Sequence, residues 1–308
     1  MSNDDVAAAW ARVWPHVRRT PALVAGGLWD RPLSLKLEQL QHTGSFKARG
    51  AFETLLTSEV PGGGVVAASG GNHGAAVAYA AASLGHRAAV FVPEMAGPAK
   101  IALIRDAGAE LHVVAGAYSD ALEAARAHEA ETGAMGVHAY DAPGTVRGQG
   151  TTFAEWDDQG LEADTVLIAV GGGGLIAGAL GWWGDRRRVV AVEPERAPTL
   201  HSALAAGEPV DVEVGGVAAN ALGARRIGRI AFERARGVEA VLVSDDAILA
   251  ARALLWRRMR LLVEPAGAAA LAALTSGAYR PEPGERVAVL LCGANPAPDP
   301  LASGAAGG

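Results

Sequence analysis

Short β-branched runs alternate with alanine-rich stretches along almost all of this 308-residue chain. That alternation is the strongest constraint on the fold. Strands separated by helices pair in parallel, and the helices then cover the sheet, so the pattern predicts an α/β protein. Strands are expected at Gly64–Ala68, Ala88–Val92, Glu110–Val114, Thr165–Val170, Val189–Val192, Ala240–Val243 and Val287–Leu291. Helices are expected at Phe46–Thr57, His73–Leu84, Ala99–Ala107, Ser119–Thr132, Leu175–Trp182, Asp245–Arg258 and Ala266–Thr275. Several of these helices open just after a Gly, Ser or Asn, as capping requires. The series from about residue 60 to 138 predicts a small domain (60–138) inserted into a larger one formed by 1–59 and 139–308. The tail after Asn295, rich in Ala, Pro and Gly, reads as frayed.

Charge and cysteine usage narrow the class. The net charge is −6 and no long basic tract offers a footprint for a phosphate backbone, which argues against nucleic acid as a partner. One cysteine rules out an intrachain disulfide framework and fits a reducing, cytoplasmic setting. The acidic opening Met-Ser-Asn-Asp-Asp lacks the order of a secretory signal. Two charge-free stretches, Val60–His86 and Thr165–Gly184, are long enough to suggest membrane spans. Glycine clusters interrupt both, which makes them poor spanning helices, and no membrane association is expected.

The chemistry concentrates in four segments. Lys47 follows Gly44-Ser45-Phe46 and is one of three lysines, with Lys36 and Lys100, in a chain that otherwise uses arginine. Only an amine forms a Schiff base with a carbonyl cofactor, so a lysine kept here is a candidate for one. Taken singly, it also reads as an ordinary surface lysine before a helix. The loop Ser69-Gly70-Gly71-Asn72-His73-Gly74 joins a strand to a helix. Its exposed N–H groups would cradle a carboxylate, and Asn72 could reach an oxyanion; the same loop reads equally as a generic turn. Gly171–Gly174 with Leu175 forms a second strand-to-helix loop whose backbone could wrap a phosphate. It lacks the Lys-Ser/Thr of a nucleotide P-loop, and a dinucleotide fingerprint with Glu193 as its acidic residue remains open. Cys292 closes the last strand, as a buried apolar residue or a weak donor to a ring nitrogen. The eight histidines show no metal-ligand spacing, so no metal is expected.

In order, these segments resemble the fold-type II pyridoxal-phosphate enzymes, specifically the serine/threonine dehydratase and serine racemase group. The likeness runs from Arg19-Thr20-Pro21 through Lys36-Leu37-Glu38, the Lys47 run, Ser69–Gly74, Gly148-Gln149-Gly150-Thr151, the tetraglycine, Glu264-Pro265 and Cys292–Asn295. It implies an α/β fold of two open, twisted, mostly parallel sheets flanked by helices, like the tryptophan synthase β chain. It implies pyridoxal 5'-phosphate bound through a Schiff base to Lys47, with Gly171, Gly172, Gly173, Gly174 and Leu175 on its phosphate. Phe46 would pack on the ring, Asn72 would bond its phenolic oxygen, and Cys292 would face its pyridine nitrogen. Ser69, Gly70, Gly71, Asn72 and His73 would hold the carboxylate of a small hydroxyamino acid. The implied reaction is β-elimination of L-threonine or L-serine to a 2-oxo acid and ammonia, with released Lys47 as general base. A neutral thiol opposite the ring nitrogen favours elimination over transamination, because it leaves the ring a weaker electron sink. A homodimer is implied as well.

The chain departs from that pattern at three places. Gly70 stands where serine racemases of this group carry a second serine, so racemisation is not the expected main activity. Glu193 and Ala197 match two ligands of the divalent-ion site of some relatives, but Thr199 replaces the aspartate, so metal activation is not expected. The sequence ends soon after Asn295, and feedback through a C-terminal regulatory domain is not expected. Other enzymes on the same scaffold, a 3-hydroxyaspartate dehydratase, a serine racemase or a β-replacing synthase, are the alternatives, together with a non-catalytic small-molecule binding protein.

Overall fold

The computed structural model describes residues 1–295; the tail after Asn295 lies outside them. Among the described residues ten strands form two sheets. They are β1 (Ala22–Ala25), β2 (Leu33–Leu37), β3 (Val65–Ala68), β4 (Ala88–Pro93), β5 (Glu110–Val114), β6 (Met135–Gly136), β7 (Thr165–Ala169), β8 (Arg188–Pro194), β9 (Glu239–Val243) and β10 (Val287–Leu291). The six-stranded sheet has the order β1-β2-β10-β7-β8-β9 and is parallel except for the edge strand β1. The four-stranded sheet, β5-β4-β3-β6, is parallel throughout. Every residue of β7 and β10 is buried, as continuous apolar runs require in a parallel sheet covered on both faces.

The covering helices are α1 (Asn3–Val13), α2 (Lys47–Leu56), α3 (Asn72–Ser83), α4 (Pro98–Asp106), α5 (Tyr118–Thr132), α6 (Pro143–Asp158), α7 (Gly174–Trp183), α8 (Thr199–Ala206), α9 (Ala219–Leu222), α10 (Arg229–Arg234), α11 (Asp245–Met259) and α12 (Pro265–Thr275). The seven helices and seven strands expected from the pattern all form, with ends shifted by a residue or two. The structure adds elements the pattern does not reveal. The largest is α6, 16 residues long, whose glycines and β-branched residues disfavour a helix locally. Tertiary packing overrides that preference. A Cβ on Gly148 would stand 2.4 Å from the Arg49 carbonyl oxygen, and one on Gly178 would stand 2.5 Å from the Gly150 nitrogen. Bare backbone thus lets α2, α6 and α7 pack in direct contact. Strands β1 and β2 also escape the pattern, since they are short and Lys36 interrupts the apolar run of β2.

Lys36 is fully buried, and so are Glu38, Arg49 and Glu155. Together they form one neutral network of two cations and two carboxylates. The Lys36 ammonium donates to Glu155 Oε1 (2.5 Å), Gln159 Oε1 (2.7 Å) and the Thr20 carbonyl (2.9 Å). The Arg49 guanidinium grips Glu38 with two bonds, 2.8 and 2.7 Å, and reaches Glu155 Oε2 at 3.0 Å. Trp10 of α1 covers the guanidinium, with its ring centroid 5.9 Å away. The network ties the end of β2 and the last turn of α6 to the first turn of α2. Removing one member of a buried, hydrogen-bonded set leaves an uncompensated charge, so Arg49→Met is expected to cost about 3–5 kcal/mol in urea unfolding. The exposed pair Arg226–Asp211 (2.7 Å) provides the contrast, and its removal is expected to cost under about 1 kcal/mol.

Candidate active site

The first turn of α2 carries Lys47. Before it, Thr43 and Gly44 adopt positive φ (58° and 73°), turning the chain so that it runs against the end of β10. There the Ala294 N–H donates to the Gly44 carbonyl (2.9 Å) and the Phe46 N–H to the Cys292 carbonyl (3.2 Å), while Ser45 bridges Gly293. The lysine is therefore held from both sides, by β10 through Phe46 and by the ionic network through Arg49. Its ammonium nitrogen donates to the Ala139 carbonyl (2.8 Å) and lies 5.2 Å from the Phe46 ring centroid. Burial lowers its pKa to about 8, against partial opposition from Cys292 and Glu264.

The loop Ser69–Gly74 joins β3 to α3. Ser69 Oγ accepts from the Gly71 N–H (3.3 Å), and the N–H groups of Gly70, Asn72, His73 and Gly74 meet no acceptor among the described residues. The first turn of α3 thus presents a set of free donors and the positive end of a helix dipole. The Asn72 amide is clamped at both ends: it donates to Glu264 Oε1 (2.7 Å) and accepts from Asn295 Nδ2 (2.8 Å). His73 contributes backbone only. Its imidazole is buried, bonds the Val137 carbonyl through Nε2 (2.8 Å), and is kept neutral by burial, with a pKa of about 3.

The tetraglycine follows β7 and opens α7. No N–H group from Gly171 to Leu175 has an acceptor among the described residues. The loop admits no side chain. A Cβ on Gly172 would lie 2.3 Å from the Tyr140 ring, and one on Gly174 2.9 Å from the Tyr140 carbonyl oxygen. Tyr140 is the residue after Ala139, the acceptor of the Lys47 ammonium. One short segment, Ala139-Tyr140, therefore touches both Lys47 and the tetraglycine.

Cys292 is buried beside Lys47, its thiol 3.6 Å from the Ala266 carbonyl oxygen, and burial pushes its pKa up. Two carboxylates fall differently from what the sequence suggests. Glu264, which the motif reading passes over as a site residue, is buried against Asn72 and Gly293. Burial raises its pKa to about 7, opposed by the Asn72 hydrogen bond and by Lys100 and Lys47. The only sequence signal for it is its place before Pro265 at the start of a helix. Glu193 is not a ribose-binding acid. Its two oxygens accept from the Leu200 and His201 N–H groups (2.7 Å each), so it caps α8 from the preceding strand. Thr199, which follows it in the chain, donates its hydroxyl to the Ala224 carbonyl (2.8 Å), and no group of three or more His, Cys, Asp or Glu that could hold a metal ion occurs among the described residues.

Residues 13–293 match the family described as pyridoxal-phosphate dependent enzyme. The chain is similar to the phenylserine dehydratase of Ralstonia pickettii, 38% identical over 94% of this chain and 92% of that one. Among solved structures it is similar to the T.th. threonine deaminase, with a TM-score of 0.88, 38% identity, and coverage of 96% and 98%. It is also similar to maize serine racemase, with a TM-score of 0.90, 29% identity, and coverage of 96% and 93%. The family model spans nearly the whole chain, and the two-sheet fold recurs in these structures, so the chain belongs to the pyridoxal-phosphate dependent enzymes.

Proposed function

We propose that this protein catalyses the α,β-elimination of an L-hydroxyamino acid, with L-threonine and L-serine as the substrates to test first, giving a 2-oxo acid and ammonia. One observation carries the reading: a lysine with a pKa of about 8 shares a site with two helix-opening loops whose N–H groups, Gly71 apart, have no acceptors among the described residues. The residues fit pyridoxal phosphate. Gly171–Leu175 supply donors suited to its phosphate, Lys47 an amine for its aldehyde, Phe46 a neighbouring ring face, and Asn72 an amide beside it. When bound, the group would draw electrons from the substrate α-carbon and make its proton acidic.

The side chains direct that reactivity. At a pKa of about 8 the Lys47 amine can lose its proton near neutral pH and take the α-proton as general base. The donors of Gly70–Gly74 suit the substrate carboxylate and would orient the Cα–H bond toward Lys47. Cys292 stays a neutral thiol, unable to hold a ring nitrogen protonated as a carboxylate would, which favours prompt loss of a β-leaving group. Racemisation is disfavoured by the same loop. Gly70 carries no acid, and a Cβ there would come within 2.7 Å of Ala96 Cβ.

Two domains suit this chemistry. Residues 60–138 form the small substrate-binding domain and 1–59 with 139–308 the larger one, a division supported by a four-stranded sheet that begins at Val65 and ends at Gly136. A homodimer is proposed on the family resemblance, and exposed Leu249 and Trp256, seven apart on α11, offer apolar surface for it. A cytoplasmic location is supported by the single buried cysteine, and no helix among the described residues is long and apolar enough to cross a membrane.

Three outcomes are expected. Purified protein with pyridoxal phosphate should show a visible Schiff-base band and release ammonia and 2-oxo acid from L-threonine or L-serine; Lys47→Ala should lose both. A band without oxo acid would move the assignment to another leaving group or to replacement chemistry. Gly172→Ala forces Tyr140 to shift, so it should weaken cofactor binding about tenfold or more and cost about 1–3 kcal/mol of stability. In cofactor-free protein, the unfolded chain holds the Lys47 proton up to the ordinary lysine value of 10.5, whereas the folded chain releases it near 8. Stability from this site should therefore rise with pH between those values. Urea unfolding at pH 8 and pH 10 should show a steeper rise in wild type than in Lys47→Met, which keeps Lys36 and Lys100; equal slopes would count against a buried Lys47.

A further inference from the structure

Two of the three lysines have clear uses: Lys36 in the ionic network and Lys47 at the centre of the site. Lys100, on α4, is 6% exposed, and its sole hydrogen bond among the described residues is a long one, 3.5 Å, to the Asn220 carbonyl. A buried ammonium with one weak acceptor is costly unless a further anion meets it. Its position shows where that anion would sit. A Cβ built on Gly71 would be 3.7 Å from the Lys100 nitrogen and 3.7 Å from the Asn220 carbonyl oxygen, so the ammonium borders the Ser69–Gly74 loop. The loop's own side chains carry no positive charge: the His73 imidazole is turned to Val137 and Asn72 is a neutral amide. The nearest carboxylate in its field, Glu264, is already bonded to Asn72.

We propose that Lys100 is a substrate-binding residue whose ammonium pairs with the α-carboxylate of the amino acid held on the Ser69–Gly74 loop. The inference rests on the functional reading above and deepens it. The free N–H groups of the loop orient the carboxylate, and Lys100 supplies a full charge from the α4 side. Their division of labour makes the site selective for a free carboxylate over a neutral amide or ester. A lysine suits this place because its single charge at the end of a flexible stem can close on the anion from the side of α4.

The test uses holoenzyme and ligands without a β-leaving group, so that binding is read apart from elimination. Wild type, Lys100→Met and Lys100→Gln are titrated with L-alanine and with L-alaninamide, and half-saturation is taken from the change in the cofactor band. Lys100→Met keeps the length of the side chain and suits a buried position; Lys100→Gln adds a polar control. Loss of one charge-assisted bond should raise half-saturation for L-alanine about tenfold or more in both variants and leave L-alaninamide unchanged. An unchanged ratio between the two ligands in variants that still hold the cofactor would overturn this inference alone. Equal weakening of both ligands would also overturn it and make Lys100 a tie between α4 and Asn220. A wild-type protein that takes up no pyridoxal phosphate would instead overturn the functional reading.

Discussion

The buried network of Lys36, Glu38, Arg49 and Glu155 is what the geometry of the site hangs on. Arg49 lies two residues after Lys47, and its fork is held by Glu38 at the end of β2 and by Glu155 in α6. Those contacts set where α2 begins and how it is rotated. A shift of one residue in that helix would turn the Lys47 amine by about 100° away from the cleft. Burying four charges brings little net stability, but each can be satisfied in only one arrangement. The network thus favours one placement of the reactive lysine over others of similar hydrophobic burial.

From that fixed point the remaining parts obey the logic of parallel sheets. Strands β3, β7 and β10 each end in a loop at the cleft, where helix N-termini leave backbone donors without partners. Glycine serves two purposes in this region. In the tetraglycine it lets the backbone lie directly on Tyr140. In α6 it lets three helices meet without side chains between them. The second purpose explains why Gly148 and Gly150 belong to the family pattern although neither lies in a catalytic loop.

The candidate loops were readable because they are local. Glycine runs between an apolar strand and a helix, a lone lysine among arginines, and a cysteine at a strand end are visible without coordinates. What the sequence leaves open shares one cause, which is dependence on distant partners. The His73 imidazole is turned away from the loop by its bond to Val137, 64 residues away. Glu193, whose role the sequence leaves open, is engaged because the turn of the chain places the α8 N-terminus on its oxygens. Lys100 had no local signature and Glu264 only its place before Pro265, because what distinguishes them is burial beside Gly71 and Asn72.

The sequence by itself determined the α/β class, the order of the main strands and helices, and the chemistry of the loops. Hydrophobic period, glycine and side-chain type act over a few residues and need no knowledge of the rest of the chain. Only the tertiary structure decided which groups are charged, which are engaged, and which stay free. Those properties depend on burial and on partners far apart in sequence. The depressed pKa of Lys47, the double clamp on Asn72 and the thinly paired ammonium of Lys100 arise only when β2, α2, α3, α4 and β10 converge on one cleft.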